Sequence, residues 1–310
     1  MDTTAVVFAA PGRLALEVLP LIPPDGASAL VDVCFSGIST GTERLLWTGD
    51  MPAFPGMGYP LVPGYETVGR VSKAPSNSGL HEGDLVFVPG ASCYGAVRGL
   101  FGGAASHIAT APAKLVKIDE SLLESGTMLA LAATAHHAVK LARLPDLIVG
   151  HGALGRLAAR IVISLGGSPT VWETDDQRMG GAKSYRVVQP NLDERRDYGC
   201  ILDASGDTQI IDRAMKHLAR HGEIVLAGFY SEPLHFVFPP AFMREATLRI
   251  AAQWDQADLT AVLDLVSAGK LSLDGLVTHR SPAADAPAAY ETAFTHPGCL
   301  KMVLDWRTYQ

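Results

Sequence analysis

The chain has 310 residues, 48% of them apolar, with 25 Lys and Arg against 32 Asp and Glu for a net charge of −7. At about 100–200 residues per domain, this length suggests two domains with enough apolar material for two cores. The acidic balance, with no basic block, argues against nucleic acid as a partner, because phosphate binding rests on clustered cations. Four scattered cysteines, Cys34, Cys93, Cys200 and Cys299, form no CxxC pair and read as reduced thiols of an intracellular protein. No leader is visible and no apolar run reaches the ~18 residues of a membrane span, so a cytoplasmic protein without stable membrane insertion is expected.

In chain order, short apolar or alternating runs come first: Ala5–Phe8, Leu14–Val18, Ser28–Phe35, Glu66–Val71 and Asp84–Val88. Separated by glycine and proline turns, they predict a small, mostly antiparallel β-domain over residues 1–122. A helical pattern follows from Ser125 to Val139. Strands and helices then alternate through Leu147–Val149, Thr170–Glu173, Ile201–Asp203, a helix at Asp207–Leu218, and Glu223–Ala227. Such alternation predicts an α/β, doubly wound parallel sheet over residues 123–268. The helix Leu259–Ala268 stops at Gly269. The tail, 269–310, ends in a strand candidate, Lys301–Leu304, expected to return to the first domain.

The most informative stretch is LIVGHGALGRLAARIVISLGGSPTVWE, Leu147 to Glu173. It places GxGxxG between a strand and a helix, with an acid at the end of the next strand, about 20 residues on, as a dinucleotide-binding unit requires. Gly150 permits the turn, Gly152 lets a pyrophosphate approach the backbone, and Gly155 lets the helix pack on the strand. The phosphates belong at the helix N-terminus, where free N–H groups favour negative charge. Glu173 suits the ribose hydroxyls of NAD, and Asp175 and Asp176 disfavour the 2′-phosphate of NADP. Arg178 is the nearby cation, placed to stack on adenine. His151, inside the turn, is expected to face the phosphates or solvent. An ordinary glycine-rich turn of a parallel sheet is the other reading of the motif.

Further markers stand in a fixed order: Pro63-Gly64-Tyr65-Glu66, Glu82-Gly83-Asp84, Thr134-Ala135, Asp203-Ala204-Ser205-Gly206 and Gly222-Glu223-Ile224-Val225. With the fingerprint, these resemble the medium-chain dehydrogenase/reductase superfamily along essentially the whole chain. The resemblance implies a GroES-like β-domain plus a Rossmann sheet, with the cofactor also touched by Thr134, Ala153, Leu154, Ala204, Ser205 and Gly228. The runs FSGISTGTERLLWTG, FPGMGYPLVPGYE, FVPGASCYGAVRGLFGGAA and PPAFMREATLR carry a narrower resemblance. They are similar to a family of bacteriochlorophyll biosynthesis that oxidises the 3-(1-hydroxyethyl) group of a bacteriochlorophyllide or related chlorin to 3-acetyl. That resemblance implies a chlorin substrate, whose hydrophobic product is compatible with a peripheral place at the photosynthetic membrane. The wider superfamily implies a homodimer, the first expectation, or a tetramer, and Glu173 favours NAD as acceptor.

Zinc-dependent members of the superfamily hold their metal with a Cys in a GIC-type turn, a His in a GHE-type turn and a third ligand near the start of the nucleotide domain. Here those places hold Ser39 and Tyr65, and no Cys lies between Thr127 and Ala135. Hydroxyl and phenol are poor replacements for thiolate and imidazole at tetrahedral zinc, so no catalytic metal is expected. Adjacent helical residues diverge by about 100°, so His136 and His137 are read as ordinary helix residues rather than ligands of one ion. The alcohol proton then needs a side chain. Tyr65 is the first candidate, with Thr40 as relay and Glu66 as electrostatic support; Ser39 and Thr42 lie on the same turn as Thr40. The Met-, Phe- and Pro-rich loop from Trp47 to Tyr59 suits a flat apolar ligand. Trp47, Phe54 and Phe101 are the wall candidates, and Arg44 and Arg98 the partners for a substrate carboxylate. Two readings compete: an NADPH-dependent alkene or quinone reductase, disfavoured by Glu173, and a non-catalytic tetrapyrrole carrier, disfavoured by the intact glycine turn.

Overall fold

The structure, a computed structural model, describes residues 1–23, 27–230 and 232–309. In chain order it begins with β1 (Asp2–Ala10), β2 (Arg13–Pro20), β3 (Ala29–Ile38), α1 (Thr42–Thr48), β4 (Leu61–Val62), β5 (Thr67–Lys73), β6 (Leu85–Val88), β7 (Arg98–Gly99), β8 (His107–Thr110) and β9 (Val116–Lys117). A 3-10 segment, Glu120–Met128, leads into α2 (Leu129–Lys140). Next come β10 (Leu147–Val149), α3 (Ala153–Ser164), β11 (Thr170–Trp172), β12 (Arg186–Val188), β13 (Tyr198–Asp203), α4 (Ile210–Met215), β14 (Leu218–Leu226), α5 (Phe238–Arg244), β15 (Thr247–Ile250) and α6 (Gln256–Ser267). The chain finishes with β16 (His279–Pro282), α7 (Ala286–Thr295) and β17 (Met302–Asp305).

Two compact units result. One combines Met1–Ala130 with Leu276–Gln310, and the other is Leu131–Gly275. The first holds a sheet in the order β2-β1-β4-β7 and another in the order β16-β17-β3-β5-β6-β9, with β8 also on β3. β1 pairs antiparallel with β2, and β3 pairs antiparallel with β5, β8 and β17, so the Lys301–Leu304 segment does return to the first unit. Its core gathers Val6, Phe8, Val31, Val33, Leu61 and Val86 with Tyr290 and Trp306 from the tail. Trp306 Nε1 donates to Ser36 Oγ at 2.8 Å, which satisfies a buried indole while fixing the tail.

The second unit is a six-stranded sheet in the order β12-β11-β10-β13-β14-β15, parallel at every pairing. Leu147, Ile148, Ile201, Leu202, Ile224 and Val225 are buried, as strands covered on both faces require. α6 starts earlier than its apolar pattern suggests, because Asp255 and Asp258 form a reciprocal capping box before the first apolar residue. α4 covers only Ile210–Met215 of the expected Asp207–Leu218. α5 buries none of its residues and turns Phe238, Phe242 and Met243 outward, an apolar face of the kind that interaction sites expose. Among the described residues no helix is long and apolar enough to cross a membrane.

Candidate active site

The glycine turn brings β10, α3 and the end of β13 into close approach. Gly150 follows β10 with φ +95°, and a Cβ there would lie 3.2 Å from the Ser205 backbone. Gly155 is tighter, since its Cβ would stand 1.8 Å from the Gly150 carbonyl oxygen, so only glycine lets α3 sit this close to β10. Gly152 caps α3 in an extended conformation, and a Cβ there would meet no atom within 4 Å. Free backbone at the N-terminus of a twelve-residue helix is what a pyrophosphate needs. Ala153 and Leu154, in the first turn, are half-buried beside it.

Glu173 is almost fully buried and binds backbone. Oε2 accepts the His151 N–H at 3.0 Å, and Oε1 accepts those of Thr174 and Asp175 at 2.7 and 2.9 Å. A carboxylate offers about four acceptor positions, so one remains for a ligand. Much of its work is therefore to tie the glycine turn to the loop after β11, which sequence reading missed. Arg178 is half-buried in that loop, with Nε 3.9 Å from Asp175 Oδ2. After β13, Ser205 spends its hydroxyl on Asp203 Oδ1 at 2.6 Å, and Tyr230 donates to Asp203 Oδ2. The Ala204 N–H bonds the Val149 carbonyl at 2.8 Å and the Gly228 N–H that of Asp203 at 3.1 Å, so the strand ends are stitched together. Thr134 is half-buried on α2 in the same unit.

His151 departs from expectation. Its ring is fully buried, with Nδ1 2.6 Å from the Arg178 carbonyl and Nε2 2.7 Å from the Tyr185 hydroxyl, so it faces neither phosphates nor solvent. The buried guanidinium of Arg156 closes the same loop through the carbonyls of His151, Arg178 and Gly180. Burial pushes the His151 pKa from its usual 6.5 down to about 4. A depressed histidine pKa means that the unfolded chain binds more protons between those values. Stability from this group is thus complete above pH 6.5 and is lost as pH falls toward 4, by about 3 kcal/mol at ~1.4 kcal/mol per pH unit. Urea titrations at pH 7 and pH 4.5 check this: the loss is expected to shrink in His151→Gln, and an identical loss there refutes the assignment.

In the first unit, Ser39 closes β3 and Thr42 opens α1. Ser39 Oγ lies 2.7 Å from the Tyr65 hydroxyl and Thr42 Oγ1 lies 3.4 Å from it. Thr40 has no hydrogen bond to Tyr65 among the described contacts, so of the three hydroxyls on this turn those of Ser39 and Thr42 reach the phenol. The half-buried Tyr65 packs edge-on against Phe101, with ring centroids 5.2 Å apart. Glu66 is fully buried and paired with the buried Lys301 ammonium, which also donates to the Ile38 carbonyl at 3.2 Å. A Cβ on Gly37 would come within 2.5 Å of Glu66 Oε2, so the strand leaves room for this carboxylate only as glycine. Burial first, and then the Glu66 charge, push the Tyr65 pKa well above the phenol range. Glu66 therefore opposes phenolate formation instead of supporting it.

The wall candidates divide. Trp47, partly buried, packs its ring edge-on against Phe8 at 5.8 Å on the margin of the core, whereas Phe54 and Phe101 are over a third exposed. Arg98 is exposed and donates to the Tyr59 carbonyl at 3.3 Å, and Arg44 is exposed on α1. The Tyr59 hydroxyl in turn anchors the loop to the Leu46 carbonyl.

The donor set at the two former ligand places does not fit zinc. Ser39 and Tyr65 hydrogen-bond each other, and Glu66 is engaged by an ammonium. His136 and His137 each place Nδ1 on one oxygen of the buried Asp258, at 2.8 and 2.9 Å, a structural role for both rings. The carboxylate belongs to α6 and offers one oxygen to each ring, so both rings of α2 reach it despite diverging. His137, Asp255 and Asp258 bring three potential ligand atoms within 4.8 Å of one another, but Lys140 Nζ already occupies Asp258 Oδ1 at 2.7 Å.

Residues 25–120 match the alcohol dehydrogenase GroES-like domain family. The chain is 52% identical over 311 residues to 2-desacetyl-2-hydroxyethyl bacteriochlorophyllide A dehydrogenase of Rhodobacter capsulatus. It is 53% identical over 315 residues to the enzyme of that name from Cereibacter sphaeroides, and both alignments cover 99% of each chain. A crystal structure described as a short chain alcohol dehydrogenase from Escherichia coli CFT073, complexed with NADH, superposes with TM-score 0.82 at 20% identity, covering 98% of this chain and 99% of that one. That likeness shows the shared fold, a GroES-like domain with a Rossmann-type sheet. At more than half identity over nearly the whole length, this chain belongs to the 2-desacetyl-2-hydroxyethyl bacteriochlorophyllide A dehydrogenase family.

Proposed function

We propose that this protein is an oxidoreductase of bacteriochlorophyll biosynthesis. It oxidises the 3-(1-hydroxyethyl) group of a bacteriochlorophyllide to 3-acetyl, with NAD as acceptor and without catalytic zinc. The substrate rests on the two bacterial relatives, and the observation that carries the chemistry is the Ser39–Tyr65 pair at 2.7 Å where a metal would need stronger donors. Gly150, Gly152 and the first turn of α3 hold the pyrophosphate, and the remaining acceptor position of Glu173 takes a ribose hydroxyl. The exposed carboxylate of Asp176 and the half-buried Asp175 disfavour a 2′-phosphate. When bound, the nicotinamide accepts the hydride from the alcohol carbon.

The protein then has one proton to remove. The carbon–hydrogen bond breaks with its electron pair leaving as hydride, the carbon–oxygen double bond forms, and the hydroxyl proton departs. Conjugation with the macrocycle spreads the positive character that develops at carbon, while a side chain takes the proton that a Lewis acid on the oxygen would otherwise make acidic. Tyr65 cannot rest as phenolate with its pKa pushed so high. Its hydroxyl accepts the substrate proton while donating its own to Ser39 or Thr42, and the half-buried Thr42 releases a proton to water, so the proton passes through the phenol without being stored there. Phe101, edge-on to Tyr65, bounds the place where the macrocycle lies.

The test is turnover by purified, metal-analysed protein given 3-(1-hydroxyethyl) bacteriochlorophyllide a, followed by the red-shift of the long-wavelength band as the acetyl group joins the conjugation. NAD supports turnover and NADP does so at least tenfold less well, in protein free of zinc. Turnover that tracks zinc content contradicts the metal-free reading. Preference for NADPH supports a reductase, and failure to bind either cofactor supports a carrier.

A further inference from the structure

Glu43 lies one turn behind the proton path and plays no part in it as described so far. It is the second residue of α1 and is completely buried. Its two oxygens are bonded by different parts of the chain: Oε1 accepts the Ser39 N–H at 3.2 Å, and Oε2 accepts the Tyr290 hydroxyl of α7 at 2.7 Å. The same Ser39 presents its hydroxyl to Tyr65. Glu43 thus grips the backbone of the residue whose side chain holds the phenol.

The charged and titratable groups around it come from every element packed there. Glu66 precedes β5 and Lys301 precedes β17; Tyr290 lies on α7, and Tyr65 is in the turn before β5. Two buried carboxylates therefore share one ammonium. Lys301 sits directly on Glu66, while Glu43 has only neutral donors. Like charges in a dry site cannot both ionise freely with a single counter-ion, so the extra proton falls to Glu43. Burial, reinforced by Glu66 and opposed by the Tyr290 hydrogen bond, raises the Glu43 pKa from 4.5 to about 7.

We propose that Glu43 is a positioning residue whose charge state sets how readily the Tyr65 hydroxyl takes up the substrate proton. This rests on the reading of Tyr65 as the proton-passing group. An ionised Glu43 adds negative charge near the phenol and favours an arriving proton, whereas a protonated Glu43 removes that pull. Oxidation therefore rises with pH through the range in which Glu43 ionises.

The experiment is the pH profile of kcat and KM from pH 5.5 to 9 for wild type, Glu43→Gln and Tyr290→Phe, with bacteriochlorophyllide substrate and saturating NAD. Wild type shows an ascending limb in kcat with its midpoint near 7. Glutamine keeps the size and, through its amide oxygen, the bond from the Ser39 N–H; its NH2 can only donate to the Tyr290 oxygen, and it cannot ionise. It loses the limb and holds kcat about tenfold below the wild-type alkaline plateau, with KM unchanged, the tenfold being one unit of proton affinity at the phenol. Phenylalanine at 290 removes the donor that favours ionised Glu43, so the midpoint moves upward. A purely structural glutamate would not move a midpoint through a residue on another helix. Loss of activity in Tyr65→Phe together with unmoved limbs in both other variants overturns the role of Glu43 and leaves Tyr65 standing. Full activity in Tyr65→Phe overturns both.

Discussion

Tyr65→Phe lowers kcat for hydroxyethyl oxidation by about a hundredfold or more and leaves KM within about twofold. Positioned proton transfer is worth 10²–10⁴-fold, and the substitution removes one hydroxyl while keeping the ring that packs against Phe101. Nothing else at the site replaces it. Ser39 and Thr42 point their hydroxyls at the phenol oxygen, so they reach the substrate only through it. Ser39→Ala then costs less than Tyr65→Phe, because Thr42 remains as a weaker second exit at 3.4 Å. Steady-state kinetics at pH 8 decide the matter, and equal losses in the two variants argue that the pair is structural. The high pKa of the phenol sharpens the comparison: a reaction that needed a stored phenolate would still be rising at the most alkaline pH tested, whereas a passing hydroxyl gives no such limb.

Lys301→Met destabilises the first unit by about 3–5 kcal/mol, the cost of leaving a buried carboxylate without its counter-charge. Lys301 and Glu66 are both at or below 2% exposure, and the ammonium also satisfies the Ile38 carbonyl at the end of β3. Methionine fills the volume, so the loss reports charge more than packing. Most of it returns in the double variant Lys301→Met, Glu66→Gln, which removes both charges together. Urea unfolding of the single and double variants measures this directly. A double variant as unstable as the single one shows that the lysine acts through its stem and not its charge. Against a total stability of ~5–15 kcal/mol, the single substitution leaves a protein near its threshold.

Much of the fold was legible because its signals are local. The strands Ala5–Phe8, Leu14–Val18 and Ser28–Phe35 alternate or run apolar over strand length, and the structure forms β1, β2 and β3 there. The Gly150–Gly155 turn could be read because each glycine answers a backbone constraint that follows from strand–turn–helix order. The short strands β4, β7 and β12 were missed, since two or three residues carry no period and are held by their neighbours. His151 was misplaced for a similar reason. Its position in the turn suggested the cofactor, but Arg178 and Tyr185, 27 and 34 residues away, supply partners that turn the ring inward.

The chemistry shows the same division. The sequence alone determined which donor types stand at the former ligand places, because residue identity follows from motif register: Ser39 and Tyr65 are hydroxyls wherever the chain puts them. It also determined the order of the two units and the acid that follows the glycine turn. Only the tertiary structure decided that Ser39 and Thr42, not Thr40, reach the phenol. It likewise decided that Glu66 works against the phenolate, and that Glu43 and Glu66 share Lys301 from more than 230 residues away. The physical reason is that hydrogen-bond reach and desolvation depend on which groups come within a few ångströms inside a dry interior. That distance is set by the packing of β17 and α7 onto β3 and α1, and no spacing along the chain encodes it.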